Sequence, residues 1–301
     1  MRLRQYSHLL FVLPALLVYG VFVIYPTLSA FWLSLFDWSG VGTSMNFVGL
    51  ANFVEALSSP EVYRAGWHNL LFFLAIFAFQ NTVGLFVAIQ LDARPRFVEF
   101  YRTVLFMPVL ISLVATGFIW SLMLSPNIGV INPLLKDLGL GWLARPWLSS
   151  NNLALPIVIG VQAWQMLGWS IVIYLAGLQG IPQELREAAQ IDGATSWNVF
   201  RHVVFPLLAP SVTILSVLTF ILIFRVFDVV YVLAGPAGAP AGATDVLGTL
   251  IYRNAFGSTG AFAGMSLRMS YAIAVSVIIM VLLGLQAAVL LFGLRRREVQ
   301  T

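Results

Sequence analysis

Few residues in this sequence are equipped to make or break bonds. Cysteine is absent, which excludes disulfides and thiolate metal sites. The three histidines, His8, His68 and His202, are too scattered to suggest a metal centre. The patterns G-x-S-x-G, H-E-x-x-H and G-x-x-x-x-G-K-[ST] do not occur, so neither a hydrolase elbow nor a phosphate loop is present in the sequence. One segment stands out for the order of its residue types: IPQELREAAQIDGATSWNVFRHVVFPLLAP, residues 181–210. Its chemistry is that of helix ends. Pro182 suits the first position of a helix, where the missing N–H has no partner to lose. Glu184 and Glu187 fall early, at the positive end of the helix dipole. Ala188 and Ala189 are small and favour helix, and Gly193, between Asp192 and Ala194, suits a left-handed stop. A second short helix over 196–204 is expected to stop at Pro206. The segment therefore reads as helix–turn–helix, and on composition alone it is a surface connector.

Other polar residues sit inside apolar runs, where they are costly and face a cavity or a partner. Gln162, Gln165 and Trp169 fall at i, i+3 and i+7, roughly one helical stripe, with Tyr174 beyond them. Amides and aromatic faces of this kind hold sugars, and they also pack cores or mark the membrane interface. Gln80, Asn81 and Gln90 add amides on another run. Arg225 and Asp228 stand three apart, and on one helix they would share a face and pair. Two readings stay open for them: a structural ion pair, or part of a solute path.

The elements that carry these residues follow from composition. Of 301 residues, 60% are hydrophobic and 9% charged, against about 25% charged in a soluble domain. Uncharged or nearly uncharged runs span 9–36, 69–91, 103–124, 153–177, 208–234 and 269–294, each long enough for about 20 apolar residues across a bilayer. The expected fold is all-α, a polytopic membrane protein of six transmembrane helices. The first run is too long for a signal-peptide core and lacks a small-x-small cleavage site. With the N-terminus placed inside, ten basic residues fall on inner segments: Arg2, Arg4, Arg94, Arg96, Arg102, Arg186, Arg201 and Arg295 to Arg297. Five fall outside: Arg64, Lys136, Arg145, Arg253 and Arg268. The positive-inside rule then puts both termini and the 178–206 loop in the cytoplasm. The stretch GPAGAPAGAT, at 235–244, reads as flexible and turn-forming. The arginines form no aromatic-interleaved basic face, so nucleic acid is not an expected partner.

The spacing of Glu187-Ala188-Ala189, Asp192-Gly193-Ala194, Phe200, Pro206 and Pro210 resembles the coupling-loop signature of binding-protein-dependent ABC importer permeases. The likeness extends over the whole chain and is similar to the carbohydrate-uptake branch, the maltose, trehalose and glycerol-phosphate type. FVLPALLVYGVFVIYPTLSAFWLSLFDW resembles that branch's extra first helix, and FVGLANF the segment after it. RTVLFMPVLIS, IWSLMLSPNIGVIN, LAGLQGIPQELREAAQIDGA and FRVFDVVYVLAGP resemble later parts of the same permeases. The resemblance implies a type I importer fold: an extra helix at 9–36 and a five-helix core at 65–294 within one membrane domain, 1–301. It implies that Glu187, Ala188, Ala189, Asp192, Gly193, Ala194 and Pro206 couple to an ATPase. It also implies partners: a second permease subunit, two copies of a cytoplasmic ABC ATPase, and an extracytoplasmic solute-binding protein, in a bacterial cell membrane. ATP would be used by the ATPase, with no cofactor or metal in this chain. A gradient-driven carrier is the competing class. It favours internal repeats and mid-membrane carboxylates, and here Asp228 is the sole acid inside a run. An intramembrane enzyme lacks any matching motif.

Overall fold

A backbone in lipid must satisfy its own polar groups, and the apolar runs do so by becoming helices. The computed structural model describes residues 7–93, 98–257 and 267–295, with side chains described for 11–93, 98–257 and 267–289. Helix α1 covers residues 7–33, through a π-helical turn at Gly20–Ile24. A two-residue ribbon follows, β1 Phe36–Asp37 against β2 Asn46–Phe47, antiparallel, with Phe36 opposite Phe47. Next come α2 Ala51–Ser58, α3 Pro60–Asp92, α4 Val98–Leu110, α5 Leu113–Met123 and α6 Ile131–Asp137. The remaining helices are α7 Ala154–Gln179, α8 Gln183–Ile191, α9 Ser196–Leu207, α10 Ala209–Phe224, α11 Asp228–Ala234, α12 Leu247–Phe256 and α13 Met269–Arg295. Four of these are long and apolar enough to cross a bilayer, and six spans result if each bent pair counts as one.

The bent pairs correct the sequence reading. The run at 103–124 is not one straight helix: α4 and α5 meet at 91°. Pro108 removes an N–H inside the last turn of α4, which tightens to a 3-10 turn. Ser112 then opens α5 as its N-cap, its hydroxyl accepting from Ala115 N at 3.2 Å. The run at 208–234 is also broken. Helix α10 stops at Phe224 and α11 starts at Asp228, with Phe227 at φ −145° and ψ −59° between them. Arg225 and Asp228 therefore do not share a helix face.

The described residues form two compact units, one from 7–63, 250–257 and 267–282, the other from 64–93, 98–249 and 283–295. In the first, Asn52 donates to Ser34 O at 2.9 Å and Phe36 O at 2.7 Å, fixing the exit of α1. Arg268 forks onto Glu55 at 2.7 and 2.5 Å and lies over the Tyr271 ring. That fork holds the Glu55 carboxyl below the usual carboxylate range, against the opposing pull of partial burial. In the second unit α7 is central. More than half of its apolar window is buried, whereas none of α1's is. Phe72 and Ile76 of α3 pack with Val158 and Met166 of α7 and Val229 of α11. Deeper along α7, Ile171, Leu175 and Leu178 pack with Leu85, Ala88, Val204 and Leu208. Lipid tails are as apolar as these side chains, so the helices gain from close approach instead. Gly168 shows it: a Cβ there would meet Leu105 O at 2.4 Å and Phe106 Cα at 2.7 Å.

The 235–244 stretch turns repeatedly, as its composition suggests, but it is closed upon itself. Ala239 N donates to Ala234 O at 2.9 Å, Thr244 N to Gly238 O at 3.2 Å, and Thr244 Oγ1 to Ala239 O at 2.9 Å. Thr244 is fully buried. The flexible reading is corrected to a packed loop.

Candidate functional site

The 178–206 loop folds into the expected pair of short helices, with two local differences. Pro182 is the N-cap of α8, at φ −53° and ψ 131°, and the first helical residue is Gln183. Pro206 does not stop the second helix. A π-helical turn at Phe200–Val204 carries the chain through it to Leu207, and the chain bends by 58° at Leu208 into α10. The wide turn before Pro206 relaxes the register into which its ring would otherwise clash. At the other end Thr195 caps α9, its hydroxyl accepting from Asn198 N at 3.4 Å.

The end of α8 is built as a full left-handed cap. Gly193 has φ +82°. Its N–H donates to Gln190 O at 3.0 Å, and the Ala194 N–H donates to Ala189 O at 3.0 Å. These two bonds define the Schellman arrangement, and Ala194 and Ala189 complete it with their apolar contact against the lower core. The cap gives α8 two faces. Ala189, Ala194 and Arg186 turn towards the protein. Glu187, Ala188, Asp192 and Gly193 are exposed, as is Pro206 farther on. Glu187 Oε1 accepts from Gln183 Nε2 at 2.6 Å, which pre-orients the carboxylate on the free face. Two apolar residues that the sequence reading passed over share this exposure: Ile191 at 86% and Trp197 at 63%. Both are large apolar side chains standing bare on a polar loop. Their signal in sequence was faint, since either fits an ordinary amphipathic helix.

The candidate solute-path residues separate. Gln165 is buried, and its Nε2 donates at 2.7 Å to Ile111 O, the carbonyl freed by the 91° break. Tyr174 is fully buried and its hydroxyl donates to Asn81 Oδ1, joining α7 to the π-helical turn of α3 at Gln80–Gly84. Both side chains hold helices together inside this chain. Gln162 is buried with Oε1 unpartnered. Trp169 is at the surface, its ring 6.4 Å from that of Phe106. Arg225 is exposed and Asp228 half-buried, and no ion pair joins them. The expected stripe of Gln162, Gln165 and Trp169 thus turns inward at its glutamine end. Gln80 is likewise structural, accepting from Thr219 Oγ1 at 2.7 Å. Among the described residues no group of three metal-ligating side chains occurs.

Comparison with known proteins gives the family. Residues 80–297 match the family described as binding-protein-dependent transport system inner membrane component. A probable ABC transporter permease protein of Pyrococcus horikoshii is 34% identical over 83% of this chain and 85% of its own length. The probable starch degradation products transport system permease AmyD of Thermoanaerobacterium thermosulfurigenes is 32% identical over 97% of this chain and 94% of its own. The fold is shared with the bacterial alginate ABC transporter crystallised with its pentasaccharide-bound periplasmic protein. That likeness has a TM-score of 0.79 at 24% identity, covering 99% of this chain and 96% of that one. With a family match over most of its length and relatives above 30% identity along nearly all of it, the chain belongs to the binding-protein-dependent inner membrane components, the permeases of ABC importers.

Proposed function

We propose that this permease forms half of a carbohydrate path and takes its energy from a separate ATPase through α8. The observation that carries the reading is the exposed face of α8. Glu187, Ala188, Asp192 and Gly193 lie on it, Ile191 and Trp197 stand bare beside it, and a rigid cap sets its direction. Small residues let a helix lie close in a groove, and Glu187 offers a charge for a basic partner. No phosphate loop occurs in the sequence, so ATP would be bound by the partner and no cofactor by this chain. The partners are then a second permease, two ATPase copies and an extracytoplasmic solute-binding protein. AmyD's starch products and the alginate pentasaccharide of the crystallised transporter favour an oligosaccharide or related polar solute. Of the candidate path residues, the exposed Trp169 and Arg225 and the half-buried Asp228 are the ones this reading assigns to the solute. The chain transports and does not catalyse.

The test is reconstitution in proteoliposomes with both permeases, the ATPase and the binding protein. Solute-loaded binding protein should raise ATP hydrolysis at least about fivefold, the lower end of ordinary site-to-site coupling. A panel of oligosaccharides then names the solute. Uptake driven by an ion gradient, with no ATPase present, would support the carrier class instead.

The α8 face must also lie where ATP is, so both termini are cytoplasmic. The basic-residue count behind this includes Arg2, Arg4, Arg94, Arg96 and Arg295 to Arg297, whose side chains lie outside the described residues. A reporter active only outside the membrane, fused after Arg297, should stay silent. Activity there reverses the orientation.

A further inference from the structure

Arg186, immediately before the Glu187-Ala188-Ala189 triplet, turns away from the exposed face of α8. Its Nη1 donates to Asp92 Oδ2 at 2.8 Å, and its Nη2 donates to Leu178 O at 2.8 Å. Asp92 is the last residue of α3, and Leu178 lies in the last turn of α7. Each is the negative end of a helix, so the guanidinium is held by a carboxylate, a carbonyl and two dipoles. The two side chains are only 27% and 19% exposed, which sets them apart from the solvated surface pairs that contribute little.

The covalent path from α8 to α7 runs through Gly180, Ile181 and Pro182, and α8 has no covalent neighbour in α3. Ala189 and Ala194 touch the core through methyl groups, which slide. Among the described residues no other hydrogen bond or ion pair joins α8 to α3. We propose that Arg186 is a transmission strut: its fork onto Asp92 and Leu178 makes α3 and α7 follow α8 as one body when the ATPase displaces it. The proposal rests on the reading of α8 as the docking helix. It assigns Arg186 and Asp92 a positioning role in transport that is separate from ATPase attachment.

The test uses the complete importer in proteoliposomes. In Arg186→Ala and in Asp92→Ala the ATPase should co-purify as in wild type and hydrolyse ATP. Solute moved per ATP should fall about fivefold or more, the size of an ordinary coupling term. Arg186→Lys keeps the charge without the fork and should fall between, so the proposal stays testable if the alanine forms accumulate poorly. The chain has no native cysteine. Arg186→Cys combined with Asp92→Cys, among cysteine-free partner subunits, can therefore be bridged by a short bis-thiosulfonate. Bridging should restore solute per ATP, and reduction should remove it again. Unchanged solute per ATP in all the single variants overturns the strut. So does loss of ATPase attachment, which would make Arg186 a docking residue, and so does a bridged form that stays uncoupled. Gly193→Asp measured alongside separates the two failures. If it leaves attachment and uptake intact, the docking reading falls. If it acts as expected while Arg186→Ala does nothing, only the strut falls.

Discussion

Gly193→Asp removes uptake by about tenfold or more, in membranes that hold normal amounts of the permease; a tenfold loss corresponds to about 1.4 kcal/mol. The expectation starts from the backbone. Gly193 sits at φ +82°, where a residue with a Cβ is strained by roughly 1 kcal/mol or more. Space within the chain is not the obstacle, because an added Cβ would meet nothing within 4 Å. The fold should therefore tolerate the change while the direction of α8 does not. Strain of about 1 kcal/mol alone lowers the ratio of capped to uncapped loop roughly fivefold, the most that Gly193→Ala should cost. Aspartate adds a charge that must enter the partner's groove and lose its water, which enlarges the effect. Gly193→Asn should keep most uptake, since asparagine, which enters the left-handed region as readily as aspartate, carries no charge. Glu187→Lys should be milder than Gly193→Asp, because it removes one contact without bending the loop. The measurement is ATPase pull-down together with uptake at equal permease levels. Wild-type values in Gly193→Asp would reduce the loop to a connector.

What the sequence made legible is local, and what it hid is long-range. The cap at Gly193 is set by contiguous residues, Ala189 to Ala194, so it could be read directly. The apolar runs were equally plain, because about 20 residues of uniform apolarity have one use in a bilayer. The breaks were not plain. Pro108 and Ser112 hint at the first, but the carbonyl it frees is answered by Gln165, 54 residues away. Gln165 and Tyr174 were ambiguous because amides and phenols serve sugars and helix contacts alike. Burial decides between those uses, and burial is a property of the packed bundle. Arg225 and Asp228 misled for the same reason. Their i, i+3 spacing implies a pair only while the helix continues, and at the break Ile223 O accepts from Asn69 and Val226 O lies close against Gly248, residues remote in sequence. Arg186 went unnoticed because its partner Asp92 lies 94 residues earlier.

Asn69→Leu lowers the stability of the assembled permease by about 1.5 to 4.5 kcal/mol, and the argument is one of unsatisfied groups. Asn69 is fully buried, and both ends of its amide are occupied by backbone. Its Nδ2 donates to Ile223 O at 2.7 Å, at the end of α10, and its Oδ1 accepts from Leu247 N at 2.9 Å, at the start of α12. One side chain thus caps two helix ends beside the break that separates Arg225 from Asp228. Leucine has the same branching and number of side-chain heavy atoms and offers neither bond. Leu247 N–H makes no other hydrogen bond among the described residues, so its loss costs about 1 to 3 kcal/mol. Ile223 O still accepts from Val226 N at 3.1 Å, which limits its share to the ordinary net worth of one bond, about 0.5 to 1.5 kcal/mol. For a chain of this size the sum should appear as a fall in melting temperature of roughly 2 to 7 °C, read from tryptophan fluorescence of the solubilised complex. Gly248 leaves no room for the break to close in compensation, because a Cβ there would already meet Val226 O at 2.4 Å. Uptake by the folded fraction should fall as well, since Arg225 and Asp228 lose the frame that orients them. A melting temperature within about 1 °C of wild type would show that water or a neighbouring subunit satisfies Leu247 instead, and that the break does not depend on Asn69.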